Sequence, residues 1–424
     1  MFWMILYNII LYPLVFLLIL IASFFNKKIR EGYLGRLNTI KKLKNFMNEV
    51  GSSNSIYWFH AASLGEYEQI KPVLAGLKEV EPSSKSIVSF FSPSGFNHVE
   101  DIHIDCKVYL PFDFYWTINK CLKIINPKKL IIAAYDVWPN LIWRANSLDI
   151  HTTLFAARFS INTSKFSTFI KNFYKDVYGS FSAIYTISES DNKLISSILK
   201  KSTKPILRVL GNPRYDEVKL KSDNFTIKRT KSVLKRPKTL LVGSIHAEDE
   251  NIIIDSIVSL MNELEDLSLI WTYHDPKSRY LDNAESFFKS KNFSVERLSQ
   301  TTPNNLNAKV CLVDTIGQLA QLYWFGQIAY IGGGFSTGIH NVMEPAIARL
   351  PIFFGPRYSN SQEAEELIKD GGGFKIDSGT DLYLGVKKLF HDNDKFFTAS
   401  YASTNVIHRN LGSATRVVRN IIHD

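Results

Sequence analysis

The sequence predicts an α/β protein with two Rossmann-like domains facing a cleft, preceded by one N-terminal transmembrane helix. Three observations support this fold class. Short apolar runs alternate with amphipathic helical patterns, the alternation pauses at a basic stretch and then resumes, and the first 26 residues carry no charged side chain. Strands that alternate with helices are typical of a parallel sheet covered on both faces.

The first alternating series lies between residues 55 and 188. Its strand candidates are 55–60, 86–91, 107–111, 129–134, 151–157 and 183–188. Helical patterns lie between them, for example at 64–78, 114–125 and 164–178. This order favours a parallel sheet with helices packed on both of its faces.

The alternation pauses at the basic, weakly apolar residues 202–238 and resumes with strand candidates at 239–244, 267–273, 309–314, 327–334 and 351–355. We therefore divide the chain into a membrane anchor (1–26), a first Rossmann-like domain (27–210), a basic connector (211–238) and a second Rossmann-like domain (239–424). The last helix is free to pack back on the first domain. The connector reads as a solvated hinge.

The N-terminal stretch predicts a membrane anchor. Residues 1–25 have only Asn8 and Ser23 as clearly polar interruptions, which meets the ~20 apolar residues that a spanning helix needs. A cleaved signal peptide is the alternative, but a basic n-region and a small-residue cleavage site are not clear here. The basic flank favours a cytoplasmic position for everything that follows. Its members are Lys27, Lys28, Arg30, Arg36, Lys41, Lys42 and Lys44.

Composition narrows the classes of function. The net charge of +10 favours anionic partners, such as anionic lipid, phosphorylated substrates or nucleic acid. Nucleic acid is disfavoured, because neither an RNA- or DNA-binding motif nor an aromatic stacking platform accompanies the basic connector. Three widely spaced cysteines argue against a disulfide framework and against a zinc site.

The stretch HAASLGEYEQIKP, residues 60–72, places one glutamate where a predicted strand turns into a predicted helix. Glu66 fits two roles there. It is a first-turn residue favoured by the helix dipole, and it is a candidate catalytic base at the mouth of the turn. The two roles are compatible.

The stretch IAYIGGGFSTGIHNVMEPA, residues 328–346, is the strongest candidate for nucleotide binding. Its glycines, above all Gly333 and Gly334, would let the backbone approach a phosphate or sugar, and a helix that begins near Asn341 would present free N–H groups. Glu344 could accept hydrogen bonds from ribose hydroxyls. The alternative is a tight turn followed by a glutamate that favours its helix dipole. The P-loop and GxGxxG fingerprints are absent from the sequence.

Four further positions could carry chemistry. Ser244 follows a strand ahead of an acidic helix start and could hold a phosphate or sugar oxygen, and His274 lies just beyond another strand. Ligands gather at such strand ends in open α/β sheets. Asp136 at a strand end and Arg214 in the connector could position an acceptor and stabilise developing charge. Ordinary caps and turn residues are the alternative for Ser244 and His274.

These stretches, in this order, resemble the Kdo transferases, which move 3-deoxy-D-manno-octulosonic acid (Kdo) from CMP-Kdo onto the lipid A precursor. The resemblance covers nearly the whole chain and rests on the ordered set of motifs HAASLGE, DVWPN, GNPRYD, GSIHAEDE, DTIGQL, GIHNVMEPA and FGPRYSNSQEAEEL. It implies a GT-B fold with an acceptor-binding first domain and a CMP-sugar-binding second domain. It also implies an inverting transfer without a cofactor or a bound metal.

The resemblance also implies roles for single residues. Glu66 matches the general base, and Asp136 and Arg214 match positions that support the transition state. His274 matches one CMP ligand. Two further contact segments match the sets Ile316, Gly317, Gln318 and Asn341, Val342, Met343, Glu344. This chain departs from the family at Ala134 and Asp136, where two glutamates are usual, and at Tyr273, where arginine is usual.

We therefore expect an inner-membrane glycosyltransferase that moves Kdo from CMP-Kdo to a primary hydroxyl of a phosphorylated lipid A precursor, lipid IVA, in lipopolysaccharide biosynthesis. Its domains would lie on the cytoplasmic side, and nucleic acid is not an expected partner. One alternative is another membrane-associated GT-B transferase with a UDP-sugar donor. A non-catalytic, membrane-tethered nucleotide-binding protein is a further alternative.

Overall fold

The computed structural model describes residues 2–51, 54–159, 168–199, 205–226, 233–301 and 306–424. The chain forms two compact units. Unit 1 contains residues 1–217 together with 412–424, and unit 2 contains residues 218–411. Part of the predicted helical segment 164–178 and part of the predicted connector, residues 227–232, lie outside the described residues.

Unit 1 is built on a parallel sheet of seven strands in the order β3-β2-β1-β4-β5-β6-β7. Its central strands are buried on both faces, which is why they read as apolar runs in the sequence. The strands are β1 (Ile56–Ala61), β2 (Lys85–Phe90), β3 (Cys106–Tyr109), β4 (Lys129–Ala133), β5 (His151–Ala157), β6 (Ala183–Thr186) and β7 (Ile206–Val209).

The first 226 residues also form helices, and the two helices at the N-terminus are apolar. A π-helical turn, Tyr7–Leu11, joins the first two helices into one apolar helix of 24 residues, Phe2–Phe25, which is long and apolar enough to cross a membrane. The helices are α1 (Phe2–Leu6), α2 (Tyr12–Phe25), α3 (Lys27–Leu37), α4 (Thr39–Val50), α5 (Leu64–Val80), α6 (Pro93–His98), α7 (Tyr115–Ile125), α8 (Pro139–Ser147), α9 (Thr168–Gly179), α10 (Glu189–Leu199) and α11 (Arg214–Thr226).

Unit 2 has a second seven-stranded parallel sheet, in the order β10-β11-β9-β8-β12-β13-β14. Its strands are β8 (Thr239–Ile245), β9 (Ser268–Tyr273), β10 (Val295–Arg297), β11 (Val310–Leu312), β12 (Ile328–Ile331), β13 (Ile352–Phe354) and β14 (Gly373–Lys375). Its helices are α12 (Ala247–Glu263), α13 (Ser278–Ser290), α14 (Leu319–Leu322), α15 (Met343–Ile347), α16 (Gln362–Asp370), α17 (Gly379–His391) and α18 (Asn393–Arg409). The last helix, α19 (Ser413–His423), belongs to unit 1.

Each sheet reverses its strand order at one place. In unit 1 the chain winds outward from β1 to β3 and then returns to β4 on the other side of β1. In unit 2 the same reversal separates β8 from β12. Ligands of doubly wound sheets bind outside the carboxyl ends of the strands at such switch points. The fold therefore directs attention to the loops that follow β1, β4, β8 and β12.

The α/β class with two Rossmann-like domains is confirmed, and the strands named from the sequence begin and end within three residues of the observed ones. Three short strands were missed, namely β7, β10 and β14. Arg214, which the sequence analysis places in the basic connector, is the first residue of α11.

Candidate active site

Two loop residues separate β1 from α5, and Glu66 is the third residue of α5, within its first turn. The Ser63 side chain caps this helix by accepting a hydrogen bond from the Gly65 amide. The same hydroxyl donates to Glu66 Oε2 at 2.5 Å, and the Tyr135 hydroxyl donates to Oε1 at 3.2 Å. Both carboxylate oxygens of a partly exposed glutamate are thus held at the switch point of unit 1, where a ligand can reach them.

Asp136 follows β4 and is oriented by a buried histidine. His60, on the neighbouring strand β1, is fully buried and its Nε2 lies 2.9 Å from Asp136 Oδ2. Trp138 Nε1 donates to the same oxygen at 3.2 Å. The other ring nitrogen of His60 lies 3.0 Å from both polar oxygens of Ser89. The imidazole therefore links the Asp136 carboxylate to the interior of the sheet.

Arg214 reaches α5, but not at Glu66. Its Nε lies 3.8 Å from Glu68 Oε2, and a second pair between the same helices joins Lys71 Nζ to Glu217 Oε1 at 2.8 Å. Residues two apart on a helix point about 160° away from each other, since each residue advances by about 100° around the axis. The structure therefore gives Arg214 a carboxylate partner on a different side of α5 from Glu66.

Three histidines meet at the carboxyl edge of the unit 2 sheet. His246 follows β8, His274 follows β9, and His340 lies in the loop after β12. His246 Nε2 lies 2.9 Å from His340 Nε2, and the rings of His274 and His340 stack with their centroids 4.3 Å apart. Only His274 was singled out from the sequence. His246 and His340 lie in motifs that the sequence analysis considered for their acidic residues and their glycines.

Two of these histidines, His274 and His340, are poorly suited to carry positive charge. Burial and the neighbouring His246 lower the pKa of His274. Burial, together with His274 and His246, lowers the pKa of His340 to about 4. One ring nitrogen of each of the three lies within 4.8 Å of the others, a spacing that a metal ion could use. The His246–His340 contact is a hydrogen bond, however, in which one nitrogen carries the proton and the other accepts it.

A pocket of about 390 Å³ opens beside these histidines. His246, His274, Glu250, Tyr273 and Tyr280 contribute to its lining. The Tyr273 hydroxyl donates to Glu250 Oε1 at 2.6 Å, and burial raises the pKa of the Glu250 carboxyl. The resemblance leads one to expect arginine at position 273. Tyr273 therefore gives the pocket lining an aromatic phenol where a cation is expected. The volume is within the range of small-ligand sites.

The run of glycines after β12 packs against protein backbone. A Cβ at Gly334 would lie 2.5 Å from the Gly355 nitrogen, and one at Gly333 would lie 2.2 Å from the Gly338 oxygen. The Gly333 amide donates to Asp249 Oδ2 at 2.7 Å. The Gly333 N–H already donates to a buried carboxylate, so a phosphate or sugar contact there would have to use another atom of Gly333, and that contact stays a prediction.

Asp249 is the residue that sequence reasoning missed in this loop. It is fully buried and accepts hydrogen bonds from the His246 amide at 3.0 Å, the Tyr330 hydroxyl at 3.0 Å and the Phe335 amide at 3.3 Å, besides that of Gly333. Asp249 lies in the acidic first turn of α12, where its side chain forms a capping box with His246. Its carboxylate also joins the loops after β8 and β12.

The remaining candidates differ in what they can offer. Ser244 lies within the last residues of β8, at an irregularity of strand pairing, with a left-handed φ of 55°. Ile316 is 86% exposed and Gly317 has a φ of 88° with open space around it, so the main chain of this loop is accessible. Gln318 follows immediately and precedes α14.

The segment 341–344 presents main chain rather than apolar side chains. Val342 and Met343 are buried, and the Asn341 side chain accepts a hydrogen bond from the Met343 amide at 3.0 Å. Glu344 is the second residue of α15, a helix of only five residues. Ser244 near the end of β8, His274 after β9 and residues 341–344 after β12 all lie beyond or at the carboxyl ends of strands of the unit 2 sheet.

Comparison with known proteins points to one family. The model of the 3-deoxy-D-manno-octulosonic-acid transferase (kdotransferase) family matches residues 33–217. The 3-deoxy-D-manno-octulosonic acid transferase of Chlamydophila psittaci is 28% identical over 339 residues, which cover 78% of this chain and 76% of that protein. The enzyme of the same name from Aquifex aeolicus is 26% identical over 360 residues, which cover 82% of this chain and 90% of that protein.

Solved structures agree on the fold. The crystal structure of UDP-GlcNAc 2-epimerase from Neisseria meningitidis bound to UDP-GlcNAc superposes with a TM-score of 0.62 at 13% identity, covering 88% of this chain and 100% of that chain. The pair of Rossmann-like units is thus of the GT-B type. Residues 33–217 thus match the model of the 3-deoxy-D-manno-octulosonic acid transferase family, and about four fifths of the chain is similar to enzymes of that name.

Proposed function

We propose that this chain transfers Kdo from CMP-Kdo to the primary hydroxyl of a lipid A precursor, lipid IVA, with inversion at the anomeric carbon and with Glu66 as the general base. The observation that carries the proposal is the Glu66 carboxylate. It is partly exposed at the switch point of unit 1, and Ser63 and Tyr135 hold its two oxygens. This is the arrangement that a positioned base requires.

In the proposed step, Glu66 accepts the proton of the acceptor hydroxyl while that oxygen forms a bond to the anomeric carbon of Kdo. The bond from this carbon to the phosphate oxygen breaks, and CMP leaves with the electron pair. A hydroxyl is a poor nucleophile at neutral pH, so a positioned base contributes about 10²–10⁴ in rate. Asp136, held by His60, would orient the acceptor. Arg214 stays a candidate cation for the developing charge, although its carboxylate partner Glu68 lies on a different side of α5 from Glu66.

We assign the CMP moiety to unit 2. His274 would contact it from the end of β9, together with the main chain of 316–318 and of 341–344. Ser244, Gly333 and Gly334 stay as candidate phosphate or sugar contacts, although the Gly333 amide itself donates to Asp249. Amides at the ends of loops and helices can receive the charge of the leaving phosphate.

The acceptor and the apolar N-terminal helix would both be held at the membrane. A phosphorylated lipid resides in a membrane, and Phe2–Phe25 is long and apolar enough to attach the enzyme there. Exposed Lys27, Lys28 and Arg30 directly after it favour the inner membrane and the cytoplasmic side for both units. They would also attract the phosphates of lipid headgroups.

The test is mass spectrometry of lipid IVA incubated with CMP-Kdo and detergent-solubilised protein. We expect a product from the wild type, and a rate about 10²–10⁴ lower from Glu66→Gln. Glu79→Gln is the matched control, since Glu79 is exposed on the same helix about 20 Å further along. Its rate should equal that of the wild type.

Three results would contradict the proposal. A Glu66→Gln variant as active as the wild type would remove Glu66 from its role as base while leaving the reaction in place. A folded wild type that makes no product, and that UDP protects against thermal unfolding while CMP does not, would point to a UDP-sugar transferase. Protection by CMP without any transfer would instead favour a nucleotide-binding protein without catalysis.

A further inference from the structure

The first half of the apolar N-terminal helix is hydrogen-bonded into unit 1. The Tyr7 hydroxyl donates to Asp113 Oδ2 at 2.8 Å, and the Tyr12 hydroxyl accepts from the Asp113 amide at 2.5 Å. Asp113 is 1% exposed. Asn8 lies between these two tyrosines. Its side-chain amide donates one hydrogen bond to the Asn140 side-chain amide and accepts one from it, both of 2.9 Å. Polar groups buried in this way are costly to separate, because each partner would lose its hydrogen bonds.

The π-helical turn Tyr7–Leu11 makes these contacts possible. In an α-helix, residues five apart point about 140° away from each other, whereas a π-turn with its i→i+5 bond brings them onto one face. The Tyr12 amide donates to the Tyr7 oxygen, and the two rings lie 5.6 Å apart. Both hydroxyls therefore reach the same aspartate.

Aromatic contacts extend the attachment along the helix. Trp3 lies 5.8 Å from Phe173, Tyr7 lies 5.7 Å from Trp143, and Phe16 lies 5.1 Å from Phe112, measured between ring centroids. These contacts span almost four turns of the helix. The attachment is therefore a continuous face rather than a single point.

Asp113 also forms part of the fold of unit 1 independently of the helix. Its carboxylate accepts from the Asn140 and Leu141 amides, both at 3.0 Å, at the beginning of α8. The aspartate that caps α8 is thus the one that receives Tyr7. The binding site for the N-terminal helix is consequently a fixed feature of unit 1.

The chain returns toward unit 1 after the helix. α2 ends at Asn26, whose side chain accepts hydrogen bonds from the Lys28 and Ile29 amides and so caps α3. The ring of Tyr33 on α3 lies 5.3 Å from Phe112, the same ring that Phe16 contacts. The two helices therefore form a hairpin whose tip is Phe24–Lys28.

One side of this hairpin is apolar and exposed along its whole length. Within Phe2–Phe25, the large apolar residues that are at least 48% exposed are Phe2, Ile5, Ile9, Ile10, Leu14, Leu17, Leu18, Ile21, Phe24 and Phe25. Beside it, Trp116 is 66% exposed and stacks on Phe114, which in turn contacts Tyr12. Exposed tryptophan at the edge of an apolar face, with Lys27, Lys28 and Arg30 at the tip, is typical of an element that lies in a membrane–water interface.

A crossing helix is incompatible with these contacts. Tyr7 lies about 27 Å along the axis from Phe25, at 1.5 Å per residue. If the Lys27 flank were at the cytoplasmic surface and the helix crossed a hydrocarbon core of about 30 Å, Tyr7 would lie near the opposite face. It could not then reach Asp113 in unit 1, which would be on the cytoplasmic side.

We propose that the N-terminal hairpin is a monotopic membrane element. Its apolar face enters one leaflet of an anionic bilayer, its basic tip contacts the lipid phosphates, and the N-terminus stays on the same side as both units. The single-pass anchor expected from the sequence is replaced by a helix that lies along the membrane surface. The inference does not rest on the transferase activity.

The test compares the two ends of the full-length chain. We place one epitope tag ahead of Met1 and another after Asp424, and treat intact spheroplasts and inverted inner-membrane vesicles with protease. We expect both tags to be digested in inverted vesicles and both to be protected in spheroplasts. Digestion of the N-terminal tag in spheroplasts, with protection of the C-terminal tag, would overturn the proposal.

A second measurement tests the attachment itself. Asp113 variants could unfold α8, so we choose the double variant Tyr7→Phe with Tyr12→Phe, which removes only the two hydroxyls. In detergent, we expect protease to remove the N-terminal segment at least severalfold faster than from the wild type. Tyr401→Phe, at a site that is 67% exposed in unit 2, is the control and should behave as the wild type. Equal cleavage rates for all three proteins would show that Asp113 does not hold the helix.

Discussion

Single polar side chains at the strand ends acquire their roles from partners far along the chain. His60 and Asp136 are 76 residues apart and meet because β1 and β4 are neighbours in the sheet. His60 is fully buried, and its Nε2 fixes the position of the Asp136 carboxylate. Its own anchor, Ser89, comes from the strand on the other side of β1.

The pKa of His340 leads to a prediction about pH. An unperturbed histidine has a pKa of about 6.5, whereas burial, His274 and His246 lower that of His340 to about 4. Between these values the unfolded chain binds more protons than the folded one, so the free energy of unfolding must fall as the pH falls from about 6.5 to about 4. We expect His340→Gln to flatten this part of the stability curve.

The measurement is thermal unfolding of both proteins from pH 7 to pH 4. His98→Gln is the control, because His98 is exposed in unit 1 and should leave the curve unchanged. The explanation fails if His340→Gln and the wild type lose stability in parallel.

At the scale of elements, the glycines in the loop after β12 let segments of the main chain approach one another closely. The sequence predicts that a ligand approaches the backbone at these glycines. In the structure, another segment of the protein's own backbone lies beside them. We expect Gly334→Ala to lower the free energy of unfolding by about 1–3 kcal/mol, since a Cβ would overlap the Gly355 main chain.

Gly65→Ala is the contrasting change. The nearest atom to a Cβ there is 3.8 Å away and the backbone is helical, so a gain of about 0.4–1 kcal/mol is expected. Denaturant unfolding measures both. Unchanged stability of Gly334→Ala together with weaker CMP binding would restore the role in ligand approach.

At the scale of the whole molecule, the end of the chain returns to the unit in which the chain begins. Val417 and Ile421 of α19 are fully buried in one cluster with Val73 and Leu74 of α5. The Asp216 carboxylate accepts from the Gly412 amide at 2.6 Å and from the Ala414 amide at 2.8 Å, where the chain re-enters unit 1. Unit 1 is therefore completed only by the last 13 residues.

We predict that Ile421→Ala lowers the free energy of unfolding by about 2–5 kcal/mol, because it leaves a cavity between α19 and α5. Arg419→Ala, at an exposed position of the same helix, should change it by less than about 0.5 kcal/mol. CMP binding should be unaffected by either change, since the candidate contacts lie in unit 2. A loss of CMP affinity in Ile421→Ala would contradict the assignment of CMP binding to unit 2.

The sequence by itself determined the α/β class, the two series of strands, the apolar N-terminal helix and the position of Glu66 at the start of a helix. These depend on local patterns, because a buried parallel strand is a short apolar run and a helix repeats every 3.6 residues. Strands of three or four residues, such as β10 and β14, carry too little pattern to be recognised.

Only the tertiary structure decided which polar groups meet. It paired Arg214 with Glu68, assigned the Gly333 amide to Asp249, and brought His246 and His340 to His274. It also gave the apolar helix a partner in Asp113, 106 residues from Tyr7. Hydropathy measures whether a helix prefers lipid to water, but it does not detect a buried aspartate that holds one face of that helix, because that contact depends on how the rest of unit 1 folds.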